Sequence, residues 1–265
     1  MKKIILAVLL VAATISAKAW HVNCDKGILL LAAKNYNPET LRLMQQYIGE
    51  DLTKSAYYLA SLRKDERYAY TEAWHKLHLD ADLKPFSSSE SDAYVQIEKA
   101  LEVIRNRNAH NAKAVRFAIN TVINLVIDMH NISNVAIEGV AQSGTDFQFT
   151  SSKGTANGRP AKLFPFSWKE LWTTRYVYQH GGYTPTMWAT ELEVMFGKKK
   201  AEFSAGMLAD WCGDIGKDTK AVHSVLEANG GQFLHATIQA HEPLHMSCMG
   251  RAAYRIAALL NENLK

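Results

Sequence analysis

The sequence predicts an all-α, multi-helix domain with one long loop that carries a short β-hairpin. Three observations predict it. Apolar residues recur at spacings of three and four along most of the chain, and the strict apolar–polar alternation of half-buried strands is scarce. A single stretch, 138–165, interrupts the pattern with Gly, Ser, Thr and Asn.

The elements follow in order. Residues 1–19 open with Lys2 and Lys3, continue in an apolar run from Ile4 to Ile15 and close with Ala17 and Ala19 flanking Lys18. This is the pattern of a secretory signal peptide cleaved before Trp20. The run is too short and wrongly flanked to span a membrane, and no later stretch approaches the roughly 20 apolar residues that spanning needs. The expectation is an exported protein, periplasmic or extracellular, with residues 20–265 forming one helical domain. Asn37-Pro38-Glu39 reads as a helix start, and Asn111 to Asn131 as a long helix. Within 138–165, Phe147-Gln148-Phe149 alternates like an arm of a hairpin, and loops of that length are usually functional or mobile. Lys217 to Asn229 reads as a short helix, and Met246 to Leu264 as a C-terminal amphipathic helix.

Charge excludes one class of function. The formal net charge is +4, but loss of Lys2, Lys3 and Lys18 with the leader brings the chain close to neutral. A general polyanion-binding field is therefore absent, and any nucleic-acid contact has to come from a local patch. Cys24, Cys212 and Cys248 allow one disulfide in an oxidising compartment. Cys212 with Cys248 is the expected pair, although spacing does not decide pairing.

Chemistry concentrates in two places. At a mature N-terminus, Trp20 would offer its α-amine and carbonyl as a chelating pair for a metal. On the long helix, Asn120, Asn124 and Asp128 are spaced by four in an apolar sequence and share one face. Buried polar side chains need partners, so the face serves either an internal hydrogen-bond network or a polar site.

Together with several short motifs, these features resemble the single-strand-specific (S-one/P-one type) nuclease and bacterial zinc-dependent phospholipase C superfamily, nearly end to end. The motifs are the Trp20 terminus with the helix around Leu31–Thr40, Tyr58-Leu59-Ala60-Ser61-Leu62-Arg63 for the acidic motif, and Tyr70-Thr71-Glu72-Ala73-Trp74-His75. They continue with Asn124-Leu125-Val126-Ile127-Asp128-Met129, Ser167-Trp168-Lys169-Glu170-Leu171-Trp172-Thr173, and the closing Ala253-Tyr254-Arg255-Ile256-Ala257. The resemblance implies a deep all-α cleft holding three zinc ions that hydrolyse phosphodiesters.

Carried over residue by residue, the ligand set is mostly replaced. Trp20, His75 and Asp128 match the family's ligands, whereas Asp25, Asn124, Asn134 and Lys169 stand where it has His, and Ala60 and Thr173 where it has Asp. Asn is a weak neutral ligand, Ala none, and Lys169 would set a cation against the ion, so the full three-zinc cluster is not expected. A reduced metal site would use Trp20, Asp25, His75, Asn124 and Asp128 for one divalent metal, zinc or the harder manganese or magnesium. The competing reading has Asp25 and Asp128 simply hydrogen-bonded or paired with the terminal ammonium.

The expected function is a degenerate family member without three-zinc phosphodiesterase activity that binds a phosphate-bearing ligand: a nucleotide, single-stranded nucleic acid or phospholipid head group. Lys169 and Lys76 are its candidate phosphate-binding residues, unless they lie on a solvated face. The alternative is an active metal-dependent nuclease or phospholipase C with His75 and Asp128 as catalytic residues. A non-catalytic role as inhibitor or as partner of an active paralogue is also compatible with the residues. His241-Glu242-Pro243-Leu244-His245 satisfies the His-Glu-x-x-His pattern of zinc peptidases, but Pro243 is expected to lie before the final helix and spoil the shared face. His21 shares a helical spacing with Asp25, and His130 is placed to reach the cleft. His78, His110, His180, His223 and His235 show no partner spacing, and Trp168, Trp172 and Trp188 are expected to fill the core.

Overall fold

Helices begin where the sequence supplies a side-chain acceptor for an otherwise orphaned backbone N–H. The computed structural model describes residues 20–62, 65–86, 91–140, 148–152, 163–170, 172–173, 176–228 and 235–265. Helix α1 (Val22–Ala33) starts at His21, whose Nδ1 accepts from Asn23 N. Helix α2 (Pro38–Ile48) has proline in its first turn and Asn37 Oδ1 accepting from Thr40 N at 2.7 Å. A 3-10 turn, Leu52–Tyr57, leads into α3 (Tyr58–Leu62), and a second 3-10 run, Glu66–His75, into strand β1 (Leu77–Leu79). Asp92 caps α4 (Ala93–Arg105), and Asn111 caps α5 (Ala112–His130), which stops at Asn131.

The chain continues through a 3-10 turn, Ile132–Asn134, to β2 (Val135–Ile137), and then through β3 (Gln148–Ser152) and β4 (Leu163–Ser167). Short helices α6 (Trp168–Glu170) and α7 (Tyr176–Gln179) precede α8 (Pro185–Phe196), capped by Thr184. Helices α9 (Lys200–Ser204), α10 (Leu208–Ala228) and α11 (His235–Asn263) complete the fold. The helical class and the hairpin in the long loop are as the sequence predicts. The hairpin pairs Gln148 with Ser167 through Ser152 with Leu163, antiparallel. Phe147, like the leader 1–19, lies outside the described residues.

Helix α5 is the axis, buried without interruption from Ala118 to His130. Helices α4 and α11 and the turn Leu52–Tyr57 pack on it, while α1 lies between α8 and α11. Gly27 permits the α1–α8 approach, because a Cβ there would fall 2.4 Å from the Trp188 Cβ. Trp172 and Trp188 are core residues, together with Trp20 and Trp211. Strand β1 pairs in parallel with β2, Leu77 opposite Val135, so the exits of Glu66–His75 and of α5 are held side by side. That pairing positions the site. No helix of the described residues is long and apolar enough to cross a membrane.

Three sequence expectations are corrected. The helix read as Lys217 to Asn229 begins earlier, at Leu208. Gly213 and Gly216 weaken its apolar pattern, and Gly216 is there because α10 crosses β1 so closely that a Cβ would meet Leu79 Cδ1 at 2.7 Å. The final helix begins at His235 rather than Met246 and runs through Pro243. Pro243 and Gln239, one turn before it, are exposed, so the carbonyl that loses its donor faces water. Cys212 and Cys248 form no disulfide: all three cysteines are buried free thiols. Cys248 Sγ instead accepts from Arg251 Nη2 at 3.4 Å, and burial pushes its thiol up to about 11.

Candidate functional site

The polar face of α5 resolves into two parts. Towards its N-terminus it is a network: Asn120 Nδ2 donates to Arg116 O at 2.7 Å, and Asn124 Nδ2 donates to both Ser55 O (2.7 Å) and Asn120 O (2.9 Å). One turn further, Asp128 Oδ2 lies 2.5 Å from His75 Nδ1, with both side chains buried. A carboxylate can only accept, so it fixes the ring with Nδ1–H towards Asp128 and leaves Nε2, itself buried, without a hydrogen-bond partner in the protein. Asn134 Nδ2 donates to the backbone carbonyl of Asp128 at 3.1 Å, closing the end of the helix.

The other predicted site residues lie on several different elements. Asp25 is buried in the first turn of α1 and acts electrostatically on Tyr57, whose phenol is pushed up first by burial and then by that carboxylate. Tyr57 belongs to the turn that also supplies Ser55 O to Asn124, so Asp25 and Asn124 flank one segment. Lys169 is half-buried on α6, which contacts Ile132–Asn134; its carbonyl accepts from Thr173 Oγ1 at 2.7 Å. Lys76 is exposed, and its carbonyl accepts from Ala93 N, fastening the end of the 3-10 run to α4. Ala60 is half-buried on α3.

Trp20 is buried in a second cluster that sequence spacing did not reveal. Its ring meets His245 edge-on at 6.0 Å; His245 in turn stacks on Tyr176 at 4.7 Å, and its Nε2 donates to Trp172 O at 2.9 Å. Burial lowers His245 to about 3, so it is a neutral core residue. Beside it, His180 Nε2 pairs with Glu242 Oε1 at 2.8 Å. The helix is continuous through His241 and His245, contrary to the expectation that Pro243 breaks it, yet His245 and Glu242 are engaged within the protein rather than presented as a peptidase pair. The signal available for this cluster was only the two histidines at helical spacing.

His130 does not reach the His75–Asp128 pair. Its Nδ1 donates to Val126 O at 2.7 Å and its Nε2 accepts from Arg255 Nη1 at 3.0 Å. Burial first, then the neighbouring Arg255, holds its pKa well below the ordinary imidazole range. Arg255 also donates to Phe203 O and Asp214 and lies over the Trp211 ring. His78 pairs with the cap residue Asp92 at 3.0 Å. His21 is taken up as the cap of α1.

Among the described residues, some buried polar atoms have no hydrogen-bond partner in the protein, and they are spread over several elements. Trp20 Nε1, Ser55 Oγ, His75 Nε2, Asn120 Oδ1 and Tyr176 Oη are among them. An orphaned buried group costs about 1–3 kcal/mol, so each such atom is a point where water or a ligand completes the bonding. Among the described residues no group of three or more His, Cys, Asp or Glu side chains is arranged to hold a metal ion. No protein-family model and no curated protein matches the chain.

Proposed function

We propose that the protein is an exported, degenerate relative of the single-strand nucleases and zinc-dependent phospholipases C, lacking three-zinc phosphodiesterase machinery and binding a phosphate-bearing ligand beside His75 and Asp128. One observation carries the reading. The amides standing where the resemblance puts metal ligands are spent on backbone carbonyls: Asn124 on Ser55 and Asn120, and Asn134 on Asp128. An Asn whose Nδ2 is already committed offers at best one neutral oxygen, and Thr173, whose hydroxyl donates to Lys169 O, offers only a neutral oxygen where the family has a carboxylate. The three-zinc set does not fit these residues.

What remains is a preorganised imidazole. Asp128 orients His75, and Nε2 either accepts from a hydroxyl of the ligand or, when protonated, donates to a phosphate oxygen. Lys169, on the short helix against Ile132–Asn134, supplies the cation that a phosphate requires. Nucleotides, single-stranded nucleic acid and phospholipid head groups share that phosphate chemistry.

A second reading keeps one divalent ion, zinc, manganese or magnesium, and with it phosphodiester hydrolysis. It is favoured by the His75–Asp128 geometry itself, since a carboxylate behind one ring nitrogen is how many proteins orient a histidine ligand. Metal analysis of protein equilibrated with zinc and manganese and then desalted separates the two, alongside binding of a single-stranded oligonucleotide and of phosphocholine. The first reading expects no retained metal, and phosphate-ligand binding that falls in Lys169→Ala and His75→Ala. About one ion per chain, with hydrolysis lost in Asp128→Ala, selects the second reading; about three zinc ions rejects both ligand assignments.

A further inference from the structure

Helix α8 has two unlike faces. Trp188, Ala189, Leu192 and Phe196 are buried in the core. Met187, Val194 and Met195 recur at i, i+7 and i+8 on the outer side and are exposed, Val194 retaining 78% of its surface. Within a turn of Met195 the chain enters a 3-10 turn, Gly197–Lys199, and passes into α9 through Lys200, so three consecutive exposed lysines follow the exposed apolar residues. Beyond α9, Met207 is 73% exposed.

This corner is fastened from beneath. The Phe196 ring lies 5.3 Å from that of Phe203, and Gly250 on α11 makes room for it, since a Cβ there would meet Phe196 Cδ2 at 2.8 Å. Arg255 Nε donates to Phe203 O at 3.0 Å, Trp211 Nε1 to Ala205 O at 2.6 Å, and Met207 N to Asp210 Oδ2 at 2.9 Å. The lysines and Met207 are therefore presented on a backbone that the core holds in place.

Among the described residues, none of the Lys198, Lys199 and Lys200 ammonium groups has an ion-pair or hydrogen-bond partner. Of the nearby carboxylates, Glu193 is taken by Lys34 at 2.5 Å, and Glu202 is the acidic side chain on α9. Three lysines alone make an ordinary solvated turn. Flanked by exposed valine and methionine, they fit a surface that carries negative charge over hydrocarbon. A lysine close to such a surface contributes roughly fivefold in affinity, and stable peripheral attachment needs an apolar signal beside the charge. A nucleic acid fits less well: the stretch 187–207 has no arginine, and its aromatic residues Trp188, Phe196 and Phe203 are all buried, so no ring is offered to a base.

We propose that the α8–α9 corner docks on an anionic lipid surface, with Lys198, Lys199 and Lys200 at the head-group phosphates and Val194, Met195 and Met207 entering the acyl boundary. The attachment is peripheral, as no helix of the described residues is long and apolar enough to cross a membrane. It stands independently of the His75–Asp128 reading, because it uses none of those side chains.

The test is co-sedimentation of the purified chain with vesicles of phosphatidylcholine alone and of phosphatidylcholine mixed with phosphatidylglycerol. The mixed vesicles should be bound more tightly, with a preference that fades as salt is raised. The triple variant Lys198→Glu, Lys199→Glu, Lys200→Glu should lose affinity for the mixed vesicles on the order of a hundredfold, and with it the preference. The double variant Val194→Ser, Met207→Ser should lose roughly tenfold. The apolar run from Ile4 to Ile15 is common to parent and variants, so these differences report the corner alone. All five positions are exposed, so thermal melts should match the parent. No preference for the mixed vesicles, or binding unchanged in either variant, overturns the proposal. Binding of a single-stranded oligonucleotide that falls in the lysine variant, with no vesicle binding, overturns it in favour of a nucleic-acid surface.

Discussion

Asp128 Oδ2 holds His75 Nδ1 at 2.5 Å across 53 residues of sequence, with both side chains out of water. Such a pair is coupled, since removing either member strands the other. Asp128→Ala leaves a buried imidazole without its acceptor, at a cost of about 1–3 kcal/mol. In a double-mutant cycle by urea denaturation, Asp128→Ala and His75→Ala should therefore be non-additive, by roughly 0.5–3 kcal/mol. Additive losses would mean that the contact does not form in solution.

Asn124 is the strongest case of an amide serving structure at a position assigned to metal binding by resemblance. Its Nδ2 ties the turn Leu52–Tyr57 to α5 by bonding Ser55 O, and also bonds Asn120 O. Asn124→Ala should cost about 1–3 kcal/mol by orphaning the buried Ser55 carbonyl. The metal content of zinc-equilibrated protein should not change. Loss of a bound ion in that variant, with stability intact, would return Asn124 to the ligand set.

How much of this was legible depends on how far each interaction reaches along the chain. Asn37, Asn111 and Asn131 mark helix ends through bonds to residues two or three positions away, so the start of α2 and both ends of α5 could be read almost to the residue. Pro243 misled because the cost of its missing N–H depends on whether the opposed carbonyl reaches water, which is a tertiary fact. The partners His180 and Glu242 are 62 residues apart and His130 and Arg255 are 125 apart, with no local periodicity to announce them. The α5 polar face was visible as a face, but its division into a network and an imidazole-holding turn needed the positions of Ser55 and His75.

His245 predicts an acid response. Its folded pKa is about 3, depressed by burial, against about 6.5 for a free imidazole. Above pH ~6.5 both folded and unfolded chains hold it neutral. As pH falls below that, only the unfolded chain takes up the proton, and stability is lost until the folded pKa is reached. At pH 5 the ideal contribution is about 2 kcal/mol. The fall in unfolding free energy between pH 7 and pH 5 should accordingly be smaller in His245→Phe than in the parent by about that amount. An equal fall in both would show that His245 protonates in the native state.

Gly27 carries the α1–α8 contact. An alanine Cβ would lie 2.4 Å from Trp188 Cβ and 3.0 Å from Pro185 O, and neither is the flexible end of a side chain. The helices would have to move apart, so Gly27→Ala should destabilise by about 1–3 kcal/mol despite its better helix propensity. A thermal melt checks this, and a gain in stability would place α1 further from α8.

Arg255 is the most consequential buried charge among the described residues. It is 2% exposed, and its guanidinium satisfies Phe203 O, His130 Nε2 and Asp214 Oδ2 from three separate nitrogens while lying over Trp211. Burial, and then the neighbouring Arg251, lowers its pKa to about 10, which still leaves it charged at neutral pH. Arg255→Ala removes the charge that holds His130 as an acceptor and strands a buried carbonyl and imidazole, a loss of about 3–5 kcal/mol. Arg255→Lys should recover little of it, because one ammonium cannot span the fork that reaches α9, α10 and α5 together. Restoration of most of the stability by lysine, measured by chemical denaturation, would show that charge rather than fork geometry holds these three helices in register.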